Sequence, residues 1–159
     1  MNRLMLLAFL SILAPAVCAA DVNVELLSAV SAGRTGQVAD LLAQGADANA
    51  KNPAGRPALV LAGFSGNRRT ARLLVNAGAD VNAVDSAGNT ALIAASAFGH
   101  GKVVSLLVSA GADPNLKNTA GQSALMRATL SGHTSVVEQL KAAGAVEEAA
   151  DGEEDDKKK

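Results

Sequence analysis

Three series of glycines share one period in this chain, and that constrains its fold more than any other feature. Gly45, Gly78, Gly111 and Gly144 are spaced by 33 residues, as are Gly33, Gly66, Gly99 and Gly132, and as are Gly55, Gly88 and Gly121. Glycine takes a positive φ at little cost, so glycines in fixed phase mark chain reversals in fixed phase. Apolar positions obey the same period: Leu26, Leu59, Leu92 and Leu125 in one row, Leu41, Leu74, Leu107 and Leu140 in another. Ala29, Ala62, Ala95 and Ala128 form a third. A repeat of this length is one supersecondary unit that cannot bury its apolar face alone and must stack on its neighbours.

Within a unit the residue types assign themselves. Thr90 and Ser123 suit the N-cap of a first helix, because a hydroxyl accepts a free backbone N–H there. Gly66, Gly99 and Gly132 end that first helix in the left-handed conformation, and Gly45, Gly78, Gly111 and Gly144 end a second helix in the same way. Gly55, Gly88 and Gly121 allow a tight turn between units. The alanine row lets helices approach closely while the leucine rows fill the layer between repeats. Tyr and Trp are absent and Phe occurs only at Phe9, Phe64 and Phe98. Such a core of small aliphatic residues suits close-packed helices better than an aromatic-rich sandwich.

The clearest unit reads Gly88-Asn-Thr-Ala-Leu-Ile-Ala-Ala-Ser-Ala-Phe-Gly-His100, continues from Val103 and ends in Gly-Ala-Asp-Pro-Asn115. It resembles the ankyrin repeat, whose signature is a 33-residue period with Thr-Pro-Leu-His-x-Ala. The resemblance covers Asp21 to Val146. It implies an all-α solenoid of four helix–turn–helix units, about 21–52, 53–85, 86–118 and 119–146, linked by β-hairpin-like turns. The Thr-Pro-Leu-His motif departs from the family, reading Thr90-Ala-Leu-Ile and Ser123-Ala-Leu-Met, with Pro57 one place early in the second unit. Apolar packing at Leu27, Val60, Ile93 and Met126 is expected to replace the histidine. Leu73 and Leu106 are buried-type positions whose equivalents in the end units are Asp40 and Gln139, and Val75 and Val108 give way to Lys141. Polar outer faces are what terminal repeats need, so the array is expected to be complete at four units.

The two ends read differently from the body. Arg3 precedes an apolar run from Leu4 to Leu13, broken only by Ser11, then Pro15 and the small residues Ala16-Val17-Cys18-Ala19-Ala20. This predicts a secretory signal peptide over 1–20, cut after Ala19 or Ala20. The run falls short of the roughly 20 residues of a membrane span. Cys18 is preceded by Val17 and Pro15, where a bacterial lipobox wants a small residue and, three before the Cys, Leu; lipidation is therefore not expected. The mature chain would hold no cysteine and need no disulfide. The expected location is the bacterial periplasm, with secretion as the alternative. From Asp21 to Val146 ten Lys/Arg face eight Asp/Glu, a net of +2, whereas Glu147 to Lys159 holds three Lys against seven acids, a net of −4. Residues 147–159 are predicted to be disordered, with a role as an acidic contact arm as the alternative.

Catalytic motifs are missing: the chain has no G-x-S-x-G, no P-loop and no H-E-x-x-H. The near-neutral net charge of −1 argues against nucleic acid. His100 and His133 share the Gly-His phase and are expected to cap the second helices; two such histidines make no zinc set. Asp47, Asp80 and Asp113 recur in phase as turn residues, and Arg68, Arg69 and Arg72 are read as a solvated outer face. No cofactor and no metal are expected.

What remains is surface. The resemblance implies a concave face built from hairpin tips and the inner sides of the first helices. The hairpin side would offer Arg56, Asn89 and Gln122, with Asp85 and Asn118 nearby. The helix side would offer Ser28, Leu61, Ala94 and Arg127 in one row and Ala32, Ser65, Phe98 and Ser131 in the next. Phe98 and Arg127 stand out, since aromatics and Arg dominate binding hot spots. The expectation is a non-enzymatic monomer, free of the membrane once cleaved, that binds another protein. Similarity to exported bacterial ankyrin proteins implies an accessory factor, with an oxidative-stress enzyme such as a haem catalase among the partners considered. The alternatives are a secreted effector acting on a host or foreign protein and, disfavoured by the absence of mature cysteine, a haem or metal carrier.

Overall fold

The structure, a computed structural model, describes residues 16–147. The tail from residue 148 on and most of the predicted signal peptide lie outside it. Eight helices are described: α1 (Ala16–Ser31), α2 (Thr35–Ala43), α3 (Ala58–Ser65), α4 (Arg68–Asn76), α5 (Ala91–Ala97), α6 (Gly101–Ser109), α7 (Ala124–Leu130) and α8 (Thr134–Ala142). Odd and even helices pair within units, and each also packs on the next of its own kind. The result is two layers of helices, four units long. Helix α1 is twice the length of the other first helices and runs across the expected cleavage point.

The core follows the periodic rows. Leu26, Leu59, Leu92 and Leu125 are buried, Leu74, Leu107 and Leu140 are fully so, and the alanine row from Ala29 to Ala128 is sealed. Each such leucine contributes on the order of 2 kcal/mol by leaving water. Small residues set the spacing of the layer. A Cβ at Gly63 would meet the Ala91 carbonyl oxygen at 2.7 Å, so α3 and α5 approach at a distance that only glycine permits there.

All eleven glycines of the three series have positive φ, between 68° and 93°. At the ends of α5 and α7 the reversal also satisfies a carbonyl that the helix leaves free: His100 N donates to Ala95 O and His133 N to Ala128 O, both at 2.9 Å. Thr90 and Ser123 accept from Ile93 N and Met126 N, so both are the N-caps their sequence position predicts. Between units the chain forms short fingers closed by isolated antiparallel bridges, Lys51 with Pro57, Val84 with Thr90 and Lys117 with Ser123.

The histidines behave differently from the expectation. His100 and His133 stand at the N-cap positions of α6 and α8, yet neither side chain caps its own helix. Each Nε2 instead lies against a carbonyl of the preceding unit, Phe64 O at 3.1 Å and Ala97 O at 3.2 Å. Those carbonyls belong to the last turns of α3 and α5, where no intrahelical N–H reaches them. The imidazole therefore closes the C-terminus of a neighbouring helix and staples two units together. Asn67, at the same phase one unit earlier, is short enough to do both: its Oδ1 caps Thr70 N and its Nδ2 donates to Gly33 O.

Two further expectations need correction. Leu73 and Leu106 are half-buried, because the second helices form the outer layer. Capping of the last unit is complete only on α8, where Gln139 and Lys141 replace apolar residues. On α7, Met126 is 37% exposed and Leu130 67%, and Val146 beside them is 63% exposed. The equivalent of Met126 one unit earlier is covered: Ile93 is 2% exposed under α7. Met126 thus lacks the packing expected of the motif position, having no following helix above it among the described residues.

Candidate protein-binding surface

Each finger is held from inside by one side chain. Asn52 Oδ1 accepts Arg56 N, Asp85 Oδ1 accepts both Ala87 N and Asn89 N, and Asn118 Oδ1 accepts Ala120 N and Gln122 N, all at 2.9–3.0 Å. Asn and Asp favour such turns because their short acceptors reach the backbone two and four residues on. Asp85 is buried and its carboxylate faces inward, so it shapes the surface without presenting itself on it.

The fingers are also tied to one another. Asp85 Oδ2 accepts Asn89 Nδ2 at 3.4 Å, Asn89 Oδ1 accepts Asn118 Nδ2 at 3.0 Å, and Gln122 Oε1 accepts Arg127 Nη1 at 3.4 Å. Arg56 Nε sits 3.7 Å from Asp85 Oδ2, an ion pair too long to be a hydrogen bond. Arg56, Asp85, Asn89, Asn118, Gln122 and Arg127 therefore form one polar chain across three units. Residues in such a network hold one another's rotamers, which lowers the ordering cost when a partner lands.

An aromatic cluster lies beside that chain. Phe98, 55% exposed, meets Phe64 edge-on with centroids 5.6 Å apart and stacks on the His100 ring at 6.1 Å. The Arg56 guanidinium covers the other aromatic, 4.6 Å from the Phe64 centroid. A cation on a ring face gains electrostatically and is fixed in place. Phe98 thus packs between units and presents surface at once. Phe64 is the member that sequence reasoning missed. It is separated from Phe98 by one residue more than the period, which sets it at a neighbouring phase on the adjoining unit.

The remaining positions divide. Ser65 is exposed, though its hydroxyl donates to Ala62 O, and Leu61 is half-buried against the core. Ser28, Ala32 and Ser131 are exposed, whereas Ala94 is 2% exposed and offers no contact surface. Outside this face, a cleft of about 460 Å³ at the C-terminal end of the stack is bordered by Lys117, Met126, Leu130 and Val146. Among the described residues no three His, Cys, Asp or Glu side chains come together to hold a metal ion. No helix described is long and apolar enough to cross a membrane.

A family model described as ankyrin repeats, in three copies, matches residues 26–118, and the structure adds a fourth unit of the same build beyond that range. A search of curated proteins returns no match. Ankyrin repeats are protein–protein interaction modules, and the match spans more than half of the sequence: this chain belongs to the ankyrin-repeat family.

Proposed function

We propose that the protein is a non-catalytic binding module that engages a partner protein through its concave face on the second to fourth units. The observation that carries this is the polar chain from Arg56 to Arg127 running beside the half-exposed Phe98. Tight recognition favours aromatic and Arg anchors that are rigid before binding. Phe98 is held by Phe64 and His100, and both arginines are held by neighbours.

Export belongs to the same proposal. It is supported by the Arg3 n-region, the Leu4–Leu13 apolar run and the small residues before Asp21. An exported module of this family suits an accessory role toward another exported protein, and a stress enzyme such as a haem catalase is the finer form of that reading. N-terminal sequencing of the protein recovered from a periplasmic fraction tests export: a start at Asp21 or Ala20 supports it, and an intact Met1 contradicts it.

The binding face is tested by capture from periplasmic extract with the native chain and with the double variant Phe98→Ser, Arg127→Glu. A partner held by the native chain and lost from the variant, at equal helicity, supports the assignment. Equal retention by both overturns it.

A further inference from the structure

The outer layer of second helices carries an unbalanced charge. Arg68, Arg69 and Arg72 are exposed on α4, and Lys102 is exposed on α6, one period on from Arg69. Among the described residues none of these four side chains has an ion-pair or hydrogen-bond partner. The positions in phase on neighbouring helices offer no carboxylate: Gly36 and Ala39 on α2, and Gly101 and Ser105 on α6. Glu138 shares the phase of Arg72 but lies on α8, two helices away. Asp40 shares the phase of Gln139, which faces the preceding unit through Ser105 and Gly101, so Asp40 lies on the side of α2 turned from α4. Arg68 and Arg69 also occupy the first turn of α4, where the helix dipole disfavours a cation. Neither an ion pair, a side-chain hydrogen bond nor the dipole of α4 accounts for these charges among the described residues.

The acids missing from this layer are concentrated elsewhere in the chain. Residues 147–159 hold seven of them, four in the unbroken run Glu153-Glu154-Asp155-Asp156. We propose that the Arg68–Arg69–Arg72–Lys102 patch is the docking surface for this acidic run of the same chain. Helices α4, α6 and α8 pack in succession. At about 10 Å between axes, α8 stands roughly 20 Å from α4. Adding the length of one nine-residue helix, about 14 Å, puts the patch on the order of 25 Å from Glu147. Extended chain covers about 3.3 Å per residue, so the run at 153–156 reaches between roughly 20 and 30 Å beyond Glu147. Reach and charge therefore agree.

The other arginines of the stack are already engaged. Arg56 is paired with Asp85 and Arg127 is bonded to Gln122, which leaves α4 as the richest group of unpaired cations among the described residues. A tethered acidic run acts at an effective concentration of order millimolar, so dilute acidic peptides compete poorly for the same patch. The contact is between solvated charges, so it is strong at low salt and released at high salt. Docking on the outer layer also keeps the acids away from the concave face.

The test uses the full chain, labelled with ¹⁵N, beside a variant carrying Glu153→Gln, Glu154→Gln, Asp155→Asn and Asp156→Asn. At about 20 mM salt, where the Debye length is about 20 Å, amide shifts are expected to differ between the two across 68–72 and at Lys102. They are expected to converge at about 500 mM, where that length falls to about 4 Å. A synthetic peptide of residues 148–159, added in trans, is expected to move the same amides and to bind the tail variant several-fold more tightly than the native chain. Identical low-salt spectra on α4 would overturn the proposal. So would differences centred on Arg56, Arg127 or the fingers, or equal affinity of the peptide for both chains.

Discussion

Gly66 and Gly132 provide a built-in comparison of backbone strain with steric crowding. Both end a first helix with nearly the same positive φ, 68° and 74°. A Cβ at Gly132 would meet nothing within 4 Å, whereas one at Gly66 would meet His100 Nδ1 at 2.5 Å and Cγ at 2.7 Å. Gly132→Ala thus suffers the left-handed conformation alone, about 1–2 kcal/mol. Gly66→Ala suffers that and must also displace the His100 imidazole, which is bonded to Phe64 O and stacked on Phe98. Loss of that bond adds about 1 kcal/mol and loss of ring packing a comparable amount, for a total of about 3–4 kcal/mol. With no Trp or Tyr in the chain, the assay is urea unfolding followed by circular dichroism at 222 nm. The variants Gly66→Ala, His100→Ala and the double variant complete a cycle. The two substitutions are expected to be less damaging together than their sum, because removing the ring relieves the clash. Equal destabilisation by Gly66→Ala and Gly132→Ala, or strict additivity in the cycle, would refute the role assigned to His100.

Other residues give sharper single readings. Leu92→Ala empties the middle of the layer and is expected to destabilise by about 3–4 kcal/mol in the same assay. Thr90→Ala removes the acceptor for Ile93 N and is expected to cost about 1 kcal/mol, with Thr90→Ser recovering most of it. Asp85→Ala leaves Ala87 N and Asn89 N without their acceptor and Arg56 without its carboxylate, for an expected loss of about 2–3 kcal/mol and a weakened partner complex. Leu130→Ser, on the uncovered side of α7, is expected to change stability by less than about 0.5 kcal/mol while reducing binding of a hydrophobic dye.

The sequence carried the frame of this fold because a repeat states its rule several times over. A glycine that recurs at one phase needs one explanation for all copies, and the positive φ at Gly45, Gly78, Gly111 and Gly144 follows from it. The N-caps at Thr90 and Ser123 were legible for the same reason: a hydroxyl and the N–H it accepts lie three residues apart. Contacts between units were much less legible. His100 meets Phe64, Phe98 meets Phe64 and Asn118 meets Asn89, and a period reveals that such positions are neighbours without saying which atoms meet. Asp85 illustrates the limit: its place on a finger suggests a surface residue, yet the turn draws its carboxylate inward to the Ala87 and Asn89 amides. Met126 shows the converse, since its apolar character reads as core and only the absence of a following described helix leaves it in the open.

Hydrogen exchange of the protein with and without its captured partner tests the central claim most directly, because it needs no substitution. If the concave face binds, exchange slows in the fingers at 51–57, 84–90 and 117–123 and at the Phe98 end of α5, while α4, α6 and α8 keep their free rates. Protection confined to those second helices, with the fingers unchanged, would contradict the account and move the binding surface to the outer layer.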